Sequence, residues 1–226
     1  MSMNSSSNIL NKFRQSSITN WIKSNKYPIL ITIGFFLAIG YAGTFHNYWG
    51  ERDGIFYFFS GKQILAGEGE NITLFGAGVG GPVLFAYLDS FIHNGFLTVK
   101  TIALLSGTGI VFVSYFIMRN FVNQKVALVG QLFVAFNPKL NLLSTLAINE
   151  LLPIFLIFTS LYFITKKEIT IQNIIITGLI LGIASIFRYQ SMIVLFAIII
   201  FLLIHDKKIK KNVFFSFLVI GSFLIL

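Results

Sequence analysis

Apolar and polar positions fall along this chain in long blocks. A polar stretch ending at Lys26 is followed by apolar runs at Tyr27–Thr44, Leu97–Met118, Val126–Phe136, Leu143–Thr165, Ile171–Phe187, Tyr189–Ile204 and Val213–Leu226. Uncharged runs of this kind read as membrane-crossing helices, because about 20 apolar residues span the roughly 30 Å of bilayer hydrocarbon. Tyr27–Thr44 is at the short end of that range and Val126–Phe136 is shorter, with Asn137, Pro138 and Lys139 expected partly within the interface. The pattern predicts an all-α, polytopic transmembrane bundle of about seven spans over residues 27–226, preceded by a polar tail over 1–26.

The only long polar interval between apolar runs is Trp49–Tyr87, within a first loop at about 45–96. Gly54–Ala66 carries Ile55, Phe56, Phe58, Phe59, Ile64 and Leu65 with Lys62 among them, an amphipathic pattern that suits an interfacial helix. Asp53 stands at its start, where a carboxylate can cap free N–H groups. Gly67, Gly69, Gly76, Gly78, Gly80 and Gly81 then break regular structure, and Pro82 opens a second short helix ending near Asp89 or His93. The glycines make no nucleotide-phosphate cradle, since no strand precedes them and no Lys–hydroxyl pair follows; they suit a loop that folds tightly over the membrane surface and moves.

Composition agrees with the pattern. Only 11% of residues are charged, 55% are apolar, 26 are Phe, and mean hydropathy is +0.81; soluble domains carry about 25% charged residues. The net charge of +9 does not point to nucleic acid, because the basic residues lie in short clusters between apolar runs. With a cytoplasmic N-terminus, Arg119, Lys125, Lys166, Lys167, Lys207, Lys208, Lys210 and Lys211 fall on the cytoplasmic side of an alternating arrangement. Glu51, Asp53, Glu68, Glu70, Asp89 and Glu150 fall on the other. These features predict an integral plasma membrane protein, with membrane lipids as partners of the Lys207–Lys211 cluster. The tail, rich in Ser and Asn with Lys12, Arg14 and Lys23, is too polar for a signal peptide. The sequence stops inside the apolar run GSFLIL, which reads as an N-terminal fragment. Cysteine is absent, which excludes disulfides and thiol chemistry.

Three ordered stretches carry a resemblance. Asp53-Gly54 with Tyr57, Ile64 to Gly69 and Gly81-Pro82 form the first; Phe136-Asn137-Pro138 with Ser144-Thr145 and Glu150 the second; Gly178 to Ala184 ending in Arg188 the third. Together they resemble the polytopic glycosyltransferases of the GT-C type, which include the dolichyl-phosphate-mannose protein mannosyltransferases and the lipid A aminoarabinose transferase relatives. This chain departs in having Gly54 where many relatives have a second acid, and Tyr189 where relatives often have proline. The resemblance implies a GT-C-like bundle that moves a sugar from a polyprenyl-phosphate carrier to an acceptor on the external side, with Asp53 as general base and Tyr57 near the substrate. Gly67, Gly69, Gly81 and Pro82 belong to its catalytic loop.

The remaining candidates follow from residue chemistry. Arg188 joins two apolar runs, where a guanidinium suits a phosphate through bidentate contact or snorkels to the interface. Glu150, with Pro153 one turn later, is an acid at the mouth of a span, either paired with Lys139 or assisting acceptor binding. Asp89 and His93 share a helical face at i, i+4, but two ligands make only half a metal site. No cofactor is obligatory on this reading, and a divalent cation at Asp53, Asp89 or Glu150 stays open. The acceptor, whether lipid, glycan or protein, is not legible. Two rival classes are a secondary transporter or flippase-like protein, which predicts coupled flux and symmetry between halves, and a non-catalytic membrane subunit, which predicts a silent Asp53→Asn.

Overall fold

The computed structural model describes residues 18–46, 52–68, 78–205 and 209–224, apart from the side chains of 52, 53, 205 and 209–212. Every regular element among them is helical: α1 Lys26–Gly43, α2 Arg52–Leu65, α3 Gly80–Ile92, α4 Gly95–Arg119, α5 Gln124–Ala135, α6 Pro138–Thr145, α7 Leu151–Ile164, α8 Ile171–Phe187, α9 Ser191–His205 and α10 Ile209–Leu224. Two of these, α1 and α4, are long and apolar enough to cross a membrane by themselves, and α5 with α6 qualifies as a third span bent by 54°. The apolar helices α3, α7, α8, α9 and α10 are shorter, so a count of seven requires several of them to cross as well. Large apolar side chains are exposed throughout, among them Leu37 on α1, Phe133 on α5, and Phe196 and Ile204 on α9. Such a surface is suited to lipid and not to water.

Capping side chains set the joints. Asn94, Asn123, Asn137 and Thr170 each accept a backbone N–H from the first turn of α4, α5, α6 and α8, satisfying donors that a helix start leaves free. At the α5–α6 bend, Asn137 caps and Pro138 takes the first helical position, where its missing N–H removes nothing. The expected single run Leu143–Thr165 is instead broken: α6 stops at Thr145, residues 146–150 are not helical, and α7 starts at Leu151. Pro153 explains where α7 can begin. It lacks an N–H to give to Asn149 and its ring crowds that carbonyl, so the helix cannot run through from α6.

Around the long helix α4 pack α1, α3, α5, α6 and α7, while α8 packs against α7 and α10. Ala103 and Ile110 of α4 meet Leu151 of α7 in one core; Ile174 and Leu181 of α8 meet Ile164, Ile198 and Val219 in another. Polar contacts fix the helix pairs inside the bundle. Gln131 of α5 donates to the Pro28 carbonyl and to Thr32 Oγ1 of α1, and Lys100 of α4 caps α1 by donating to the carbonyls of Gly43 at 2.5 Å and His46 at 2.6 Å.

These contacts sort the chain into two ends. At one lie the starts of α1, α5 and α8 and the ends of α4 and α7, with Trp21 stacked on Phe116 and Asn120 bonded to Thr165. Arg119, Lys125, Lys166 and Lys167 are there. At the other lie the Gly43 end of α1, the 146–150 linker, the α8–α9 corner and the first turn of α3. Asp89 and Glu150 belong to that second end, together with their partners Lys62 and Arg188, while Glu168 lies beside Lys166 and Lys167 at the first.

Candidate active site

Arg188 sits at the corner where α8 reverses into α9. Its extended backbone (φ −150°, ψ 122°) ends α8, with its N–H still bonded to the Ala184 carbonyl, and its own carbonyl accepts from Ser191 at the start of α9. Glu150 occupies the cap position before α7 yet makes no capping bond with its side chain. The carboxylate turns instead to Arg188, with Nη2 to Oε1 at 3.1 Å, the two side chains being 31% and 28% exposed. Both border a cavity of about 570 Å³ whose walls include Ile110, Leu143, Leu151, Ile154 and Phe158, with Asn137 and Lys139 also on its lining. Lys139 therefore shares the cavity but is not the partner expected for Glu150. The cavity thus sets Glu150, Arg188 and Lys139 beside apolar walls.

A close backbone crossing joins the start of α3 to this corner. The Gly78 N–H donates to the Phe187 carbonyl at 3.2 Å, and a side chain at Gly78 or Gly80 would run into Ile186. At Gly81 it would run into the amide of Asn149. Asn149 is 2% exposed, and among the described residues neither its Nδ2 nor its Oδ1 has a hydrogen-bond partner. Glycine is thus required at 78 by close approach of the Ile186 backbone, and at 80 and 81 a side chain would have to displace those of Ile186 and the buried Asn149, where the sequence suggested looseness. Gly67 has another reason: φ is +84°, and the N–H groups of Gly67 and Glu68 return to the carbonyls of Ile64 and Gln63 to close α2. Gly81→Val is expected to lower stability by about 1–3 kcal/mol, the usual range for overpacking, seen as an earlier thermal unfolding transition in detergent.

Between α2 and α3, Lys62 Nζ meets Asp89 Oδ2 at 2.9 Å, with Asp89 8% and Lys62 50% exposed. Gly61 lies against the Pro82 carbonyl, and Phe58 packs with Phe85, Val99 and Ala147. The amphipathic α2 is therefore docked on α3 and α4. The i, i+4 pairing of Asp89 with His93 does not form a helix face: His93 adopts the left-handed conformation (φ 55°) that ends α3. Tyr57 is buried at 6% exposure within α2.

Residues 81–226 match the dolichyl-phosphate-mannose-protein mannosyltransferase family. The chain belongs to that family. No curated protein and no solved structure matches it. As a member of the mannosyltransferase family it is a membrane glycosyltransferase of the GT-C type, in an all-helical GT-C-like fold.

The part matched to the mannosyltransferase family holds Gly81, Pro82, Glu150 and Arg188 together with the cavity; Asp53, Tyr57, Gly67 and Gly69 precede it. Asp53 occupies the second position of α2, its side chain outside the described atoms, and Gly69 lies outside the described residues. Among the described residues no three His, Asp or Glu side chains gather as a metal site. Asp89 and Glu150, offered by the sequence as cation ligands, each meet a basic side chain. Sequence reasoning missed Asn149 altogether. Asn149 follows Leu146, Ala147 and Ile148 inside the run Leu143–Thr165 expected to be one span, and only its burial against Gly81 sets it apart.

Proposed function

We propose that this protein transfers a sugar from a polyprenyl-phosphate donor to an acceptor on the external side of the plasma membrane, with its N-terminus cytoplasmic. The observation that supports this best is the Arg188–Glu150 pair bordering an apolar-walled cavity. A polyprenyl phosphate places its charge at headgroup depth and its tail in hydrocarbon, and such a cavity has a counterpart for each. The placement of Arg119, Lys125, Lys166 and Lys167 at the end opposite Glu150 favours that orientation.

In the reaction the acceptor hydroxyl oxygen bonds to the anomeric carbon while the bond from that carbon to the phosphate oxygen breaks. The phosphate leaves with the electron pair, its charge met by the Arg188 guanidinium. Asp53 takes the hydroxyl proton as general base. Tyr57 is assigned to substrate binding, and Gly67, Gly69, Gly81 and Pro82 to the loop that bounds the site. No obligatory cofactor enters this reading, because the guanidinium supplies the positive charge.

The test is transfer by the full chain in membranes, supplied in parallel with polyprenyl-monophosphate sugars, polyprenyl-diphosphate sugars and nucleotide sugars over a mixed pool of lipid, glycan and protein acceptors. Transfer from the monophosphate class alone is expected. Transfer only from nucleotide sugars would exclude the proposed donor, and substrate flux across the membrane without transfer would favour a transporter.

A further inference from the structure

Glu150 has two places to go. In the structure its carboxylate meets a single guanidinium nitrogen, Arg188 Nη2, at 3.1 Å, and nearly a third of each side chain is exposed. One partly hydrated contact of this kind is weak, whereas a phosphate can take two guanidinium N–H groups at once. Phosphate therefore competes with Glu150 for Arg188. Glu150 is also the cap residue of α7, a helix of 14 residues whose first turn has no side-chain cap. Pro153 removes one N–H from that turn, but those of Leu151 and Leu152 remain, and the helix start favours a carboxylate. Once off the guanidinium, the carboxylate belongs to the residue that immediately precedes this helix start.

We infer that Glu150 is a release residue, a positioning group that yields Arg188 to the donor phosphate and takes it back when the carrier phosphate must leave. The inference rests on the phosphate reading of Arg188 given above. Without a competitor, Arg188 holds the spent carrier; with Glu150 present, each departure is assisted by re-formation of the ion pair. The movement is of the side chain alone, because Leu146, Ala147, Ile148 and Asn149 of the linker are buried and packed.

The consequence runs against the usual effect of a site substitution. Glu150→Gln removes the competing charge and retains the side-chain shape, so it should bind phosphate more tightly and turn over more slowly. The probe is citronellyl phosphate, a short polyprenyl phosphate, titrated by calorimetry into the full chain in detergent, with citronellol as the uncharged control. Glu150→Gln should lower the dissociation constant of citronellyl phosphate about fivefold, the size expected for loss of one partly exposed ion pair, and leave citronellol unchanged. In steady-state transfer, KM for donor and kcat should fall together. Glu150→Asp keeps the charge but shortens the reach by one methylene; it should shift binding in the same direction by less, and it serves if the Gln variant does not fold. Unchanged or weaker phosphate binding in the acid variants, with binding lost in Arg188→Gln, would overturn the release role while leaving Arg188 as the phosphate ligand. Undiminished binding in Arg188→Gln would overturn the phosphate reading and the release role with it.

Discussion

Asp53→Asn is expected to reduce the rate of sugar transfer by a factor of about 10² to 10⁴, the range that a positioned general base contributes. The substitution separates two roles that the position invites. Asp53 is the second residue of α2, past the cap position the sequence suggested for it, so what it gives the helix is its charge in the first turn. Asn lacks that charge, and the dipole contribution lost amounts to about 0.3–1 kcal/mol. A helix-stabilising role therefore predicts transfer close to wild type and a slightly earlier unfolding transition. A base role predicts the reverse, because an amide cannot accept the acceptor proton at any accessible pH. The measurement is single-turnover transfer in membranes at matched expression, beside thermal unfolding of both proteins. Transfer by Asp53→Asn within threefold of wild type would remove Asp53 from the chemistry and move the base to another acid of the same end.

What the sequence disclosed, and what it hid, follows from the range of each interaction. The helices α1, α4, α5, α8 and α9 agree with apolar runs to within a few residues, since burial in lipid is written into composition over a whole segment. Both helices expected in the first loop are present as α2 and α3, because Gly67, Gly80 and Pro82 punctuate an apolar pattern locally. The break after Thr145 was hidden by Leu146, Ala147 and Ile148, which keep the run apolar across a stretch that is not helical; Pro153, eight residues beyond the end of α6, was the signal. Charge placement likewise set Asp89 and Glu150 apart from Arg119, Lys125, Lys166 and Lys167, but did not disclose their partners.

Pairings at long separation could not be read. Arg188 and Glu150 each stood out as a charge beside an apolar span, but they lie 38 residues apart and meet only because α7 and α8 run antiparallel. Lys62 and Asp89 meet because α2 folds back on α3, with Gly61 allowing the approach to Pro82. The glycines from 78 to 81 were visible as a break in pattern, whereas their contact with Ile186, Phe187 and Asn149 depends on a crossing between distant segments. That crossing ties the first loop to the corner that carries Arg188. It gives a physical reason for substitutions in the loop to affect the cavity without touching it.

Arg188→Lys is expected to lower kcat/KM for donor by about 10- to 100-fold, and Arg188→Gln by about 10² to 10³, the range found when a group that stabilises developing charge is removed. Lysine preserves the charge but offers a point donor in place of a planar fork, so it cannot hold two phosphate oxygens in a fixed orientation. The stability change should be small, about 1 kcal/mol or less, because both members of the ion pair are partly hydrated and the freed Glu150 carboxylate can solvate. Activity and stability are thus expected to part company at this residue. If Arg188 only snorkels to the interface, lysine should serve equally well, and donor dependence in the Lys variant would match wild type. The Arg188→Gln, Glu150→Gln double variant adds the decisive comparison. Glu150 acts through the guanidinium, so once Arg188 is gone the second substitution should change donor kinetics by less than twofold. A larger change would give Glu150 a contact with substrate of its own.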